Sequence, residues 1–191
     1  MIDFLIYFSS YISNVFSPII LILFNIFLCL LYVIYLNIKK ISYKEIFSVN
    51  CPKSIKAINM IFISLIVSGV LSQIIKISFR TQRPEDMLVD EIGYAFISAH
   101  TAMSFSVTFM IIYLLFKYFK DHRYYINLLH SAFFISLASL VSVSRLVLQV
   151  HRVIDVIGGF VVAILSTYLS IMIYYSIITI YIFAFLPIFF D

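Results

Sequence analysis

Charged residues in this chain fall in clusters, and the stretches between the clusters are apolar and about as long as a bilayer is thick. Ser17 to Leu36 holds twenty residues without a charge, enough to cross a hydrocarbon core of ~30 Å at ~1.5 Å per residue. Ser17-Pro18 opens it as an N-cap followed by proline at the first helical position. Three further apolar runs, Ala57 to Ile75, Ala99 to Phe116 and Tyr124 to Val143, predict three more spanning helices. Val156 to Phe190 contains no charge at all. Too long for one upright helix and barely enough for two, it reads as one span to about Tyr175 and an interfacial or tilted tail that Pro187 helps to end.

Residues 1–16 are apolar but short, and Asp3 with a run of Ser and Asn interrupts them. The expectation is an interfacial helix, with a sixth span as the alternative. No repeat, low-complexity linker or change of character divides the chain. The expected architecture is therefore all-α: one integral-membrane domain over residues 1–191, a bundle of five to six transmembrane helices with its core at about 55–175.

Composition strengthens this reading. At 63% hydrophobic residues and a mean hydropathy of +1.10, the chain has too few polar side chains to cover a soluble globule. With 14 Tyr and no Trp, tyrosine is the expected interfacial anchor. The net charge of +4 is spread over loops, which suits contact with anionic lipid headgroups and argues against a nucleic-acid partner, for which one basic stripe is expected. Cys29 and Cys51 make neither a CxxC nor a zinc spacing, so neither a disulfide nor a metal is expected. The N-terminus lacks a basic n-region, so no cleavable signal peptide is expected.

With five spans, the loops at 37–56 and 117–123 share one side and carry eight basic residues, against five in the segments 76–94 and 144–155. The positive-inside rule places the first pair in the cytoplasm and the second on the outer side. The chemistry lies in that second pair. Ser144 to Asp155 sets an arginine, a histidine and an aspartate between two apolar runs; on a helix His151 and Asp155, four apart, share a face, so the carboxylate can accept from one ring nitrogen and leave the other free as nucleophile or base. One such pair also serves as an ordinary structural contact. Lys76 to Pro84 and Phe96 to His100 add Lys76, Arg83, Ser98 and His100 to the same side. Cations and helix-start amides for oxygens, a nucleophile, and an acid for a leaving oxygen are what phosphoryl transfer asks for.

On these residues the chain resembles the type 2 phosphatidic acid phosphatase (PAP2) family of membrane lipid phosphatases, related to vanadium-dependent haloperoxidases. Lys76, six residues, Arg83-Pro84 is similar to the first family motif, and Ser144-Arg145, five residues, His151, three residues, Asp155 to the third, with Gly158-Gly159 following. Ile97-Ser98-Ala99-His100 keeps only the serine and histidine of the family's Pro-Ser-Gly-His. If Ser98 caps the third span, Ala99 falls in its first turn and is tolerated; a left-handed backbone at position 99 is the alternative, at about 1–2 kcal/mol. The resemblance implies that His151 attacks phosphorus to form a phosphohistidine, that Asp155 orients it, and that His100 protonates the leaving oxygen and then activates water. It implies that Lys76, Arg83 and Arg145, helped by Ser98 and the amide of Ala99, hold the phosphoryl oxygens, with no metal and no cofactor. It also implies a lipid-phosphate substrate of the undecaprenyl pyrophosphate, phosphatidylglycerol phosphate, phosphatidic acid or lipid A kind, in a bacterial cytoplasmic membrane, with no obligate protein partner.

Two other classes remain open from the residues: a phosphotransferase, in which a hydroxyl replaces water, and a lipid-binding or transport protein that has kept the cationic pocket but lost activity. Outside the constellation, His130 is expected as a buried polar contact between helices and His122 as a solvated loop residue. Arg80 and Arg152 are adjacent cations suited to steering an anionic headgroup, and the acids at 85–91 are expected to form a solvated loop or lid.

Overall fold

The structure is a computed structural model that describes residues 2–15, 53–118 and 124–185; the expected span at 17–36, most of the following loop, both cysteines, His122 and Pro187 lie outside the described residues. Five helices run through the rest: α1 (Ile2–Val15), α2 (Lys53–Phe79), α3 (Ala99–Tyr118), α4 (Tyr124–Val147) and α5 (Val153–Phe185). Among the described residues, α2 to α5 each supply a stretch of 20 or 24 residues long and apolar enough to cross a membrane, so this is an integral membrane protein. The 14 residues of α1 extend about 21 Å, short of a bilayer core; α1 packs on α4.

Helix α3 is the centre, packing against α2, α4 and α5. In lipid, helices are drawn together by close packing and interhelical hydrogen bonds, since burying apolar surface gains nothing over the acyl chains. The sequence supplies small hydroxyl residues where the helices meet. Ser64, Ser68 and Ser72 recur at four-residue spacing on α2 and are fully buried. Ser106 of α3 is the node: its Oγ lies 2.6 Å from Ser64 Oγ and accepts from Ser166 of α5 at 2.9 Å. Each of Ser68, Ser72 and Thr167 donates to a carbonyl of its own helix, so the hydroxyls leave little polar capacity exposed to hydrocarbon.

The helices overrun the apolar boundaries. Helix α2 continues past Ile75 to Phe79, carrying Lys76 in its last turn, and stops where Arg80 turns left-handed at φ 48°, its amide bonded to the Lys76 carbonyl at 2.9 Å. Such a C-terminal residue satisfies an orphan carbonyl of the last turn. Helix α4 likewise runs past Val143 to Val147 and ends at Gln149, φ 56°. The last apolar run stays helical past Tyr175: α5 is one helix of 33 residues, because nothing between Gly159 and Pro187 is a glycine or proline and an uncharged run has no other reason to break. His130 is corrected: among the described residues it is exposed on α4 and not buried between helices, its Nδ1 2.7 Å from the Ile126 carbonyl of the same helix.

Candidate active site

Three connections meet at one end of the bundle. The loop after α2 is tied to the turn after α4 by the Leu88 amide on the Leu148 carbonyl (3.1 Å), and closed on itself by the Ala95 amide on the Thr81 carbonyl (2.9 Å). The start of α3 is tied to the start of α5 by the Ser98 amide on the Asp155 carbonyl at 3.0 Å. That approach requires the two glycines after Asp155. A Cβ on Gly158 would lie 2.7 Å from the Ile97 side chain, and one on Gly159 2.7 Å from the Ser98 carbonyl oxygen.

Ser98 is the N-cap of α3. Its Oγ accepts from the Thr101 amide at 3.5 Å and the Thr101 hydroxyl at 3.1 Å, and its carbonyl accepts the first helical bond from Ala102, satisfying donors that a helix start leaves unpaired. Ala99 is the first helical residue, and the left-handed non-glycine residues among those described are Arg80 and Gln149. The alanine therefore needs no unusual backbone. His100 follows in the same first turn.

His151 does not share a helix with Asp155, as the spacing predicts; α5 begins at Val153, and His151 lies in the turn before it. The pairing survives because Asp155 sits in the first turn of α5. Its Oδ2 accepts the Arg152 amide at 2.8 Å, the back half of a capping box, and stands 3.5 Å from His151 Nδ1. Both side chains are buried. Burial pushes the His151 imidazole below its ordinary value, the nearby Asp155 carboxylate works against that shift, and Arg145, Arg83 and Lys76 add to it. The ring is thus neutral at pH 7, with Nδ1 turned to the carboxylate.

Lys76, Arg83, Arg145, His100 and His151 lie within electrostatic reach of one another, so all the candidate residues are brought together. Arg145 is buried in the last turn of α4, and Arg83 is held by its own loop and by the turn after α4: Nε donates to the Gly93 carbonyl at 3.0 Å and Nη1 to the Val150 carbonyl at 3.1 Å. Arg80 is exposed, its Nε donating to the Ile77 carbonyl. A cavity of about 340 Å³ opens at His151, lined also by Pro84, Glu85, Asp86, Gln149 and Arg152.

One member of the site is not legible from spacing. Of the acids at 85–91, Glu91 does not belong to a solvated loop: its carboxylate pairs with Arg83 at 3.0 Å and hydrogen-bonds Arg145 on its other oxygen. Partial burial works against its charge, but Arg145, by charge and hydrogen bond, and then Arg83 outweigh it and hold Glu91 below the usual carboxylate range. The only signal in the sequence is that it stands among four acids beside the basic segment. Two arginines converging on one anion, beside two histidines and a helix N-terminus, make a group suited to an oxyanion.

A family model of the PAP2 superfamily matches residues 57–179, a span that runs from α2 into α5 and includes every residue of this group. No curated protein and no solved structure matches the chain.

Proposed function

We propose, because the chain belongs to the PAP2 superfamily, that this integral membrane protein is a lipid-phosphate phosphatase working through a phosphohistidine. The observation that carries the reading is the meeting of Arg83 and Arg145 on a single carboxylate beside His100 and the oriented His151. A lipid phosphomonoester or pyrophosphate brings the same kind of group, an anion with several acceptor oxygens, on an acyl or prenyl chain that the surrounding lipid accommodates.

In this mechanism Lys76, Arg83 and Arg145, with the amides at the start of α3, hold the phosphoryl oxygens and draw charge off phosphorus. His151 Nε2 attacks in line; the N–P bond forms as the bond to the lipid oxygen breaks, and His100 gives that oxygen its proton. Asp155 fixes the ring and balances the positive charge that develops on it. Water then attacks the phosphohistidine, losing its proton to His100, and inorganic phosphate leaves with His151 restored. The excess of basic residues in the 37–56 and 117–123 loops supports an outward-facing site, in a bacterial setting on the outer side of the cytoplasmic membrane. The substrate belongs with undecaprenyl pyrophosphate, phosphatidylglycerol phosphate, phosphatidic acid or lipid A.

The test is phosphate release by the full chain in detergent, from a panel of lipid phosphates and pyrophosphates with chelator present, beside His151→Ala. Turnover by the wild type that is absent from His151→Ala is expected. If both proteins are inert yet still bind the lipids, hydrolysis is excluded and the binding or transport class takes its place.

A further inference from the structure

The anion that fills the cationic group is part of the chain. Glu91 bridges Arg83 and Arg145, whose side chains are only 7% and 1% exposed. Neither arginine lines the cavity that reaches His151. Lys76 and His100 also feel the Glu91 charge. A phosphoryl group that is to take the position between the two arginines must therefore displace this carboxylate. The two residues after it are unpacked. Glu91 is followed by Ile92, fully exposed, and by Gly93 at φ 91° with open space where a side chain would stand. Next to Glu91 the backbone is held by Arg83, through the Ile92 and Gly93 carbonyls, and farther out by the Leu88–Leu148 and Ala95–Thr81 backbone bonds.

Charge decides which anions can compete. A carboxylate tethered to the site acts at a high effective concentration, so an incoming group must offer more than one negative charge to replace it. A phosphodiester offers one charge and two terminal oxygens, which matches what Glu91 already provides. A phosphomonoester, or the terminal group of a pyrophosphate, carries about −1.5 to −2 at neutral pH and three acceptor oxygens. Most headgroups of a bilayer are phosphodiesters, and an open site with three cations would bind them constantly. We infer that Glu91 is a specificity-determining residue: it occupies the phosphate site in the resting protein and excludes phosphodiester lipids while yielding to a doubly charged terminal phosphate. This rests on the phosphatase reading above and adds to it a means of discriminating by charge at the same site.

The experiment measures phosphate release from phosphatidic acid in mixed micelles containing increasing phosphatidylglycerol, a phosphodiester competitor, with wild type, Glu91→Gln and Glu91→Asp. Glu91→Gln is expected to be inhibited at an at least about tenfold lower mole fraction of phosphatidylglycerol than wild type, the effect of losing one charged hydrogen-bonding competitor, while Glu91→Asp stays within a few-fold of wild type. Identical inhibition of all three overturns the inference and leaves the phosphatase reading standing. A second measurement needs no variant: wild type should be inhibited at least about tenfold more strongly by inorganic phosphate than by diethyl phosphate at pH 8, with the gap narrowing at pH 5, where phosphate carries a single charge. Equal inhibition at pH 8 also overturns it. No turnover by the wild type on any lipid phosphate removes the phosphatase reading, and this inference with it.

Discussion

Gly159 and the Ser98 carbonyl oxygen are so close that a methyl group between them would stand 2.7 Å from the oxygen. This contact sets the distance between the helix that carries His100 and the helix whose first turn carries Asp155. The obstructing atom is backbone, in a residue with no exposure, and cannot rotate away. At Gly158 the atoms met are side-chain atoms of Ile97 and Phe96, which have some freedom to adjust.

Gly159→Ala should therefore push α5 off the start of α3 and misalign the two histidines. A displacement of this kind costs about 100-fold in turnover even with the fold intact. We expect Gly159→Ala to be extracted and purified as a monodisperse protein with kcat reduced by that order, and Gly158→Ala to lose less. Equal activity of Gly159→Ala and wild type would mean that the helices do not set the geometry of the site.

Asp155 serves two purposes that substitution can separate. Asn keeps an oxygen for the Arg152 amide but removes the charge beside His151, so Asp155→Asn is expected to melt near wild type while kcat falls by about 10²–10⁴-fold. Asp155→Ala loses the cap as well, at about 1 kcal/mol, and should show a lower Tm in addition. A fully active Asp155→Asn would deny the carboxylate any part in orienting the nucleophile.

Acidity should act through His151. Burial first, then Arg145, Arg83 and Lys76, hold its pKa below the ordinary value near 6.5, against the pull of Asp155. In the proposed mechanism His151 attacks as the neutral ring, so kcat/KM should rise with pH along a limb centred below about 6.5. Stability has the same sign. The unfolded chain takes up this proton first as pH falls through about 6.5, so the contribution of the neutral ring is full above that pH and is lost on the way down to its folded pKa. Glu91, also held low, contributes above its ordinary range and loses that contribution on acidification too. A pH–rate profile and Tm measured from pH 4 to 8 check both; a rising limb centred above pH 7 would contradict the neutral, buried imidazole.

The membrane class, the spans over α2, α3 and α4, and the residues Lys76, Arg83, Ser98, His100, Arg145, His151 and Asp155 were legible in the sequence, because each depends on local facts. Twenty apolar residues have to be helical in lipid, where every backbone group must be satisfied within its own segment, and the spacing from Lys76 to Arg83 or from Arg145 to Asp155 is visible in one dimension. The helix ends were less legible: hydropathy marks where apolar residues stop, whereas Arg80 and Gln149 end their helices by backbone conformation. Hydropathy also could not tell that His130 bonds its own helix and turns outward, or that α5 continues to Phe185.

What only the tertiary structure decided is which groups are already engaged with one another. Glu91 looks like any loop acid until the chain brings Arg83 and Arg145 to it from positions 8 and 54 residues away. Gly158 and Gly159 look like two small residues in an apolar helix until Ile97 and Ser98 are packed against them. Sequence spacing records the covalent neighbours of a residue; its electrostatic and steric neighbours are set by how helices from distant parts of the chain pack, and that is a property of the folded bundle alone.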